Sequence, residues 1–341
     1  MASASPAASM LDMALLLSVF ASILAGAAAV GVCYGMSGDN LPPPSKVVEM
    51  LRENGFTTVR LYAPDSAALA VLGGTGIRVV VGAPNYDLHA LAYGGTAAAA
   101  AWVRQNIQAY PTVTFRFLVV GNEVAGEDTR LLVPAMENVH AALAAAGLGH
   151  IKVTTSISQA TIGVHIPPSA GEFTDEAKAF MRYVVPFLER THAPLLANLY
   201  PYFIYSYNPG AMDLSFALFT SPGTVVQDGE YGYQNQFDAS VDALYTAVAK
   251  LGGEHVRVVV SETGWPTAGG VAASVENART FNQNLVRHVR RGTPRRPGKK
   301  VETYVFAMFN ENLKEPGVEQ NWGLFFPNTD NVYPISFHAR V

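Results

Sequence analysis

Two glutamates stand at or near the ends of apolar segments, where a strand that only fills a core has little need of a carboxylate. Glu123 ends "TFRFLVVGNE" (114–123), and Glu262 lies near the end of "VRVVVSETGW" (256–265). A strand must end somewhere, so each acid can be a purely structural feature of a polar loop. Two carboxylates that face each other across a cleft, however, suit the cleavage of a glycosidic bond: one protonates the leaving oxygen, and the other attacks the anomeric carbon or activates water.

That chemistry needs two carboxyl groups in different environments. The acid must keep its proton near the working pH, through burial or a nearby negative charge, while its partner stays ionised. Asn122 directly precedes Glu123 and supplies an amide that could bind a sugar hydroxyl. Aromatic side chains, whose flat faces can stack on sugar rings, occur at Tyr62, at Trp265 and in "NLYPYFIYSYNPG" (198–210). So many aromatics in a Pro- and Gly-marked loop are hard to bury together and favour a long polymeric substrate.

The pattern of strands and helices along the whole chain predicts that the acids lie near one another. Short apolar segments rich in Val, Ile, Thr, Phe and Tyr alternate with longer segments, several of which have helical periodicity. The eight predicted strands span residues 30–36, 57–63, 77–83, 114–123, 151–157, 194–203, 256–265 and 302–311. One predicted helix, "TDEAKAFMRYVVPFLER" (174–190), opens with a capping Thr and two acids, and its Pro186 is expected to kink or divide it. Only loop-like sequence follows the last strand, so the eighth helix is expected to be short or missing.

Eight strands that alternate with helices predict an α/β fold, a single-domain (β/α)8 TIM barrel over residues 30–341. The alternative is a doubly wound open sheet, but no Gly-rich phosphate loop opens a helix, and the Gly-rich "VLGGTGIR" precedes a strand. In a barrel, the C-terminal ends of the strands surround one active-site mouth. Glu123, Glu262 and Glu311, which ends the last strand, are therefore expected at the same rim.

The bulk composition describes a globular chain. It has 341 residues, of which 49% are hydrophobic and 15% charged, and a formal net charge of -4. A weakly acidic chain gives no reason to expect nucleic acid or an anionic membrane surface as a partner. A neutral or small partner fits better, and a monomer is expected.

Residues 1–29 predict a secretory signal peptide. The segment "MALLLSVFASILAGAAAV" is apolar, and Ala27 and Ala29 form an A-x-A cleavage pattern before Val30. Because residues 1–12 contain no Lys or Arg, a signal anchor is the alternative. Once this peptide is removed, the mature chain is expected to be secreted and to make no membrane contact.

Other catalytic chemistries have less support. A metal-dependent barrel enzyme would gather several carboxylate or His ligands, but strands three and five end near Asn85 and Ser156, so neither a metal nor another cofactor is expected. A Ser nucleophile would want a Gly-x-Ser-x-Gly elbow, which the sequence lacks. Cys33, the only cysteine, lies inside an apolar segment and is expected to be a buried, inert thiol.

The stretch "RHVRRGTPRRPGKK" (287–300) is strongly basic in an otherwise acidic chain. It is expected to be a solvated helix end followed by a loop that leads into the last strand. Contact with anionic cell-wall or other polyanionic material is the alternative.

Several motifs resemble those of the plant glycoside hydrolases of family 17, the endo-β-glucanases that act on 1,3- and mixed 1,3;1,4-linked glucans. The matching segments are "GVCYGM", "VRLYAPD", "VVGNEV", "LLANLYPYF", "VVVSETGWPTAGG" and "FAMFNENLKEPGVEQNWGLF". The similarity covers essentially the whole chain after the leader, and the motif around Glu262 is highly specific. The fold implied by the resemblance is a (β/α)8 barrel with a reduced final helix.

The resemblance also implies a role for each matching residue. Glu262 would be the nucleophile and Glu123 the acid/base of a retaining hydrolysis. The other implied site residues are Tyr62, Asn122 and Tyr200, which would line the cleft, and Glu311, Lys314 and Glu319, which would form a supporting cluster beside the acid.

The implied function is a secreted endo-β-1,3-glucanase that cuts internal bonds of a cell-wall β-glucan polysaccharide. Two alternatives stay open: a 1,3;1,4-β-glucanase with the same catalytic pair and, with less support, a glucan-binding barrel without turnover. Details such as "GHIKVTTS" and "VEQNWGLF" are closer to the mixed-linkage and closely related 1,3-glucanase branch. The absence of a C-terminal extension favours delivery to the cell wall over the vacuole.

Overall fold

The computed structural model describes residues 30–337, in which eight parallel strands close into a barrel. Each barrel strand pairs with the barrel strands that precede and follow it in the sequence, and the last pairs with the first. The barrel strands are β1 (Val30–Cys33), β2 (Thr58–Leu61), β3 (Arg78–Ala83), β4 (Thr114–Asn122), β5 (Lys152–Ser158), β8 (Leu195–Asn198), β11 (Val258–Thr263) and β14 (Thr303–Val305). The predicted (β/α)8 barrel is therefore confirmed, and the open-sheet alternative is wrong. The predicted signal peptide, residues 1–29, lies outside the described residues.

Helices cover the outside of the barrel. Within residues 30–337 they are α1 (Pro44–Glu53), α2 (Ser66–Leu72), α3 (Leu88–Tyr93), α4 (Gly95–Val103), α5 (Leu132–Ala145), α6 (Asp175–Thr191), α7 (Pro201–Tyr207), α8 (Leu214–Ala217), α9 (Gln236–Ala249) and α10 (Val275–His288). Three short hairpins lie in the connections: β6 (Ile162–Val164) with β7 (Glu172–Phe173), β9 (Val226–Asp228) with β10 (Tyr231–Tyr233), and β12 (Gly292–Thr293) with β13 (Arg296–Pro297). In the described chain after β14, the helical structure is a 3-10 turn, Val318–Gln320, as expected for a reduced eighth helix.

Most strands end a few residues earlier than predicted, and two of them differ the most. The sixth barrel strand, β8, stops at Asn198, because Pro201 begins α7 at a position where a helix needs no backbone N–H. The last strand, β14, stops at Val305. Residues 307–310 then form backbone hydrogen bonds with residues 322–325, while the N–H of Met308 still donates to the carbonyl oxygen of Cys33 at the end of β1.

Pro186 does not divide α6, which runs without interruption from Asp175 to Thr191. Pro186 lies on the exposed side of this helix, while Val185 and Phe187 on either side of it are buried. Apolar packing on both sides of the proline therefore holds one continuous helix, although the proline removes a backbone hydrogen bond.

The core follows the strand sequences closely. Every residue of β11 is buried, as expected for a Val-rich parallel strand that is covered on both faces. Cys33 is also buried; its thiol donates to the carbonyl oxygen of Ser261 at 3.3 Å, and burial raises its pKa to about 12. The thiol is therefore protonated and inert, as predicted. Over residues 30–337, none of the helices has the length and apolar character needed to cross a bilayer.

An ion-pair network lies at the N-terminal ends of the barrel strands. Glu302, directly before β14, accepts two hydrogen bonds from Arg116 at 2.7 and 2.6 Å and one from Arg257 at 2.7 Å. The hydroxyl of Tyr304 donates to the same carboxylate at 3.0 Å. Because Arg116 lies on β4 and Arg257 directly before β11, this carboxylate ties together three parts of the barrel.

Replacing Glu302 with Gln is expected to lower the free energy of unfolding by about 3 kcal/mol at neutral pH, because Arg116 would lose its charge partner in a largely buried site. Burial alone would raise the pKa of Glu302, but the hydrogen bonds and charges of Arg116 and Arg257 outweigh it and lower the pKa. Such a carboxyl stabilises the fold above its unfolded-state pKa of about 4.3, and the contribution is lost as the pH falls through the lower folded-state value.

Urea unfolding at neutral pH and again below about pH 4, where the difference between wild type and variant should shrink, checks this prediction. Glu49→Gln is the matched control, since Glu49 forms an exposed pair with Lys46 at 3.1 Å and its loss should cost less than about 0.5 kcal/mol. Equal effects of the two variants would contradict the prediction.

Candidate active site

A cleft of about 770 Å³ opens at the C-terminal ends of the barrel strands. It is lined by all eight residues that the sequence singled out, which are Tyr62, Asn122, Glu123, Tyr200, Glu262, Glu311, Lys314 and Glu319. They come from the ends of four strands and the loop after the last strand, and barrel closure brings them together.

Glu262 is a buried carboxylate with both oxygens occupied. Its Oε1 accepts a hydrogen bond from Arg60 at 2.8 Å, and its Oε2 accepts one from the Tyr200 hydroxyl at 2.6 Å. The pairing of β11 with β8 shifts register between Val260 and Glu262, which re-aims the strand end at the cleft. Burial, with the charge of Glu262, raises the pKa of Tyr200 well above its ordinary value, so this hydroxyl keeps its proton and acts as a hydrogen-bond donor to Glu262.

Glu123 has a different environment. Its side chain is accessible to water in the cleft, and its Oε1 accepts one hydrogen bond, from the amide of Asn198 at 2.9 Å. The cleft walls remove part of its hydration and raise its pKa, and the negative charge of Glu262 raises it further. The two carboxyl groups therefore differ in the way that acid and nucleophile must differ.

Asn122 lies between the two acids in a hydrogen-bond network. Its Oδ1 accepts from Arg60 at 2.7 Å and from Asn198 at 3.2 Å. Because this oxygen is occupied, the Nδ2 amide of Asn122 is the group that can donate to a sugar oxygen. The guanidinium of Arg60 also lies 4.6 Å from the ring centre of Tyr62, which fixes that side of the cleft floor.

Two residues of this network, Arg60 and Asn198, had no role in the sequence-based prediction. Arg60 is 2% exposed and contacts Glu262, Asn122 and Asn198. Asn198 is equally buried, and its Oδ1 also accepts from the hydroxyls of Ser156 and Ser261. A signal was present, because an arginine inside the apolar segment "TTVRLYA" needs a buried partner of opposite charge.

Of the predicted supporting cluster, Glu311 and Lys314 contact each other, and Glu319 lines the same cleft. The buried Glu311 accepts from the backbone N–H of Ser37 at 2.8 Å and pairs with Lys314 at 3.2 Å. The Lys314 ammonium also lies 4.4 Å from the ring centre of Phe306 in the cleft. Glu319 contributes a negative charge that raises the pKa of Glu123 by a smaller amount than burial and Glu262 do.

The aromatic run was predicted to be a loop that faces substrate, and this is wrong for part of it. Residues 201–207 form α7, so Phe203 and Tyr207 share one face, stack at 5.7 Å and line the cleft. Tyr202 points away from that face and packs against Trp265 at 5.1 Å. Trp265 is fully buried, so it is a core residue and cannot stack on a sugar.

Comparison with known proteins gives concordant results. The family model described as Glycosyl hydrolases family 17 matches residues 30–337. Lichenase-2 of Hordeum vulgare is 65% identical over 308 residues, which are 90% of this chain and 98% of the relative. The acidic isoform of glucan endo-1,3-beta-glucosidase of Zea mays is 51% identical over 333 residues, 97% of this chain and 98% of the relative.

A solved structure agrees with the fold. It comes from work on two plant beta-glucan endohydrolases with distinct substrate specificities, and it superposes with a TM-score of 0.89 at 65% identity, covering 90% of this chain and 100% of that chain. Sequence, fold and the paired carboxylates thus lead to one assignment. The chain belongs to glycosyl hydrolases family 17 and is a glycoside hydrolase.

Proposed function

We propose that this chain is a retaining endo-β-glucanase in which Glu262 is the nucleophile and Glu123 the general acid/base. The observation that carries the proposal is the contrast between the two carboxyl groups. Glu262 is held by Arg60 and Tyr200 and neutralised by a buried guanidinium, which suits an anionic nucleophile. Glu123 is partly desolvated beside that charge and has a raised pKa, which suits a proton donor.

The proposed reaction has two steps. An oxygen of Glu262 attacks the anomeric carbon, the glycosidic bond breaks, and Glu123 gives its proton to the leaving oxygen, which produces a covalent glycosyl-enzyme. Glu123, now ionised, then takes a proton from water as the water attacks the same carbon and releases Glu262. The amide of Asn122 is proposed to donate to a sugar hydroxyl during both steps. The remaining cleft residues, Tyr62, Tyr200, Glu311, Lys314 and Glu319, are proposed to position the chain of sugars.

The proposed substrate is a β-glucan polymer that is cut at internal bonds. An open cleft lined by polar groups and by the stacked pair Phe203 and Tyr207 supports entry of a long chain from the side. The first candidate is a β-1,3-glucan, the substrate in the name of the Zea mays relative. The second is a mixed 1,3;1,4-glucan, and it is favoured by the higher identity, 65%, to a relative named lichenase.

Assays on two polymers separate these candidates. Laminarin represents the 1,3-linkage and barley-type glucan the mixed linkage, and product sizes are followed over time. An endo-acting enzyme should release oligosaccharides first, and NMR should show that the new reducing end keeps the β-configuration. Glucose as the first product would contradict the endo assignment, and an α-configured product would contradict retention. Glu262→Gln protein, purified in the same way, controls for contaminating hydrolases.

We also propose that the mature protein is secreted to the cell wall and is monomeric. Support for secretion comes from the apolar leader with its A-x-A pattern at Ala27 and Ala29. N-terminal sequencing of the exported protein tests the cleavage site, and light scattering tests the monomer. Retention of the leader in a membrane fraction would favour the signal-anchor alternative.

A further inference from the structure

The end of strand β4 has an unusual backbone conformation directly at the proposed acid. Gly121 has a φ of +74° and Glu123 a φ of +52°, so two of three consecutive residues adopt the left-handed region. This region costs about 1 kcal/mol or more for a residue with a side chain. Pairing with β5 is also irregular between Val119 and Asn122. Such a strand end keeps its shape only where neighbouring groups hold it.

One neighbouring side chain holds this strand end at two points. The carboxamide Oδ1 of Asn85 accepts from the backbone N–H of Asn122 at 2.8 Å, and its Nδ2 donates to the backbone carbonyl of Asn122 at 2.9 Å. Only one orientation of the amide satisfies both bonds, and only an amide has both an acceptor and a donor at this spacing. The N–H of Glu123 makes one further bond, to the carbonyl of Ser156 at 2.8 Å.

Asn85 is separate from the residues that hold the nucleophile. It lies in the turn after β3 and lines a smaller cavity of about 250 Å³ beside the main cleft. Glu262 is fixed by Arg60 and Tyr200, and neither of these side chains forms a hydrogen bond with Asn85. Arg60 also donates to the side chain of Asn122, so Asn85 is linked to Glu262 indirectly, through Asn122 and Arg60. A change at Asn85 should therefore act directly on the strand end with Asn122 and Glu123. It should act on Glu262 only at second hand, through Arg60, while Asn198 helps to hold Arg60 and Tyr200 helps to hold Glu262.

We propose that Asn85 is a positioning residue, whose amide clamps the backbone of Asn122 and so aims the carboxyl group of Glu123 at the leaving oxygen. The inference rests on the proposed role of Glu123 as general acid. In this role Asn85 does not contact the reacting atoms. A displacement of about 1 Å in a catalytic group can reduce a rate by about 100-fold. Loss of the two-point clamp on the strained strand end is therefore expected to slow the step that needs Glu123.

The test compares two substrates: the leaving group of one must be protonated as it departs, and the leaving group of the other need not be. Aryl β-glycosides of the oligosaccharide that the wild type cleaves are prepared with a dinitrophenyl or an unsubstituted phenyl leaving group. Dinitrophenolate leaves without protonation, whereas phenolate needs the acid. Asn85→Ala should lower kcat/KM for the phenyl glycoside by about 10- to 100-fold and that for the dinitrophenyl glycoside by less than about threefold. The ratio kcat/KM is used because it reports bond cleavage and excludes the later hydrolysis step.

Two further variants separate positioning from general damage. Asn85→Asp has nearly the same shape but cannot donate at neutral pH, so it should show the same selective loss without leaving a cavity. Asn138→Ala is the matched control, because the Asn138 amide donates to the backbone carbonyls of Leu91 and Ala92 at 2.8 and 3.2 Å on the outer helices. It should affect thermal stability without any dependence on the leaving group.

Equal losses for both leaving groups, or no loss in either Asn85 variant, would overturn the inference. Glu123→Ala distinguishes this failure from failure of the proposed function. If Glu123→Ala loses phenyl glycoside cleavage selectively and the Asn85 variants do not, the acid assignment stands and the positioning role falls. If Glu123→Ala shows no selectivity either, the acid assignment itself is wrong.

Discussion

Replacing Glu262 with Gln is expected to lower kcat/KM for glucan cleavage by about four orders of magnitude or more, since the glycosyl-enzyme can no longer form. The nearly isosteric amide still accepts from Arg60 and fills the same space, so the barrel should remain folded. It no longer neutralises Arg60, however, and a buried guanidinium without its carboxylate should lower the free energy of unfolding by about 3 kcal/mol. Initial rates measure the loss of activity, and unfolding of the same sample followed by circular dichroism measures the change in the free energy of unfolding.

A covalent label makes this prediction specific to the nucleophile. A 2-deoxy-2-fluoro glycoside with a good leaving group should accumulate a glycosyl-enzyme in the wild type, and peptide mass spectrometry should locate it on Glu262. Glu254→Gln, at an exposed glutamate before β11, is the control and should retain full activity. Near-normal activity in folded Glu262→Gln protein, or a label on another residue, would remove the nucleophile assignment.

Replacing Glu123 with Gln is expected to lower kcat/KM for glucan by about 10²- to 10⁴-fold, the usual contribution of a general acid. The same change should slightly stabilise the protein at neutral pH. The pKa of Glu123 is raised by burial and by Glu262, so its stabilising contribution is complete below the unfolded-state pKa of about 4.3 and is lost as the pH rises through the folded-state value. Gln resembles the protonated acid, so the variant keeps this stabilising contribution as the pH rises.

The stability gain should be at most about 1 kcal/mol, because Glu123 is accessible to water and its charge is screened. Thermal unfolding of wild type and variant at neutral pH and below about pH 4, where their difference should disappear, measures it. Glu127→Gln is the control, since Glu127 is 89% exposed and its replacement should change the free energy of unfolding by less than about 0.5 kcal/mol. A variant that is less stable than wild type at neutral pH would contradict a raised pKa at Glu123.

Much of the fold could be predicted because local sequence patterns and barrel topology agree. Eight apolar segments with intervening helical periodicity leave few arrangements, and all eight segments contain a barrel strand. The errors lie where long-range packing decides. Phe203 and its neighbours were predicted as strand or loop but form α7, and Pro186, which was predicted to kink or divide its helix, does not divide it.

The meeting of the two proposed catalytic residues could be predicted for the same topological reason. Strand ends of a parallel barrel share one mouth, so Glu123 and Glu262 had to meet there even though no local pattern joins them. The residues that were missed are Arg60, Asn198 and Asn85. They act through hydrogen bonds that span 62 or more positions of sequence for Arg60, 42 or more for Asn198 and 37 for Asn85. Such bonds leave no periodic signal in the chain.

The sequence by itself thus determined the barrel, the rim on which the acids lie and the family resemblance, since each depends on residue types at regular spacing. Tertiary structure decided how the two carboxyl groups differ. Burial, the guanidinium of Arg60 and the amide of Asn198 give Glu262 and Glu123 separate partners. The physical reason is that a pKa and a side-chain orientation depend on distances of a few ångströms between strands, and only the closed barrel fixes those distances.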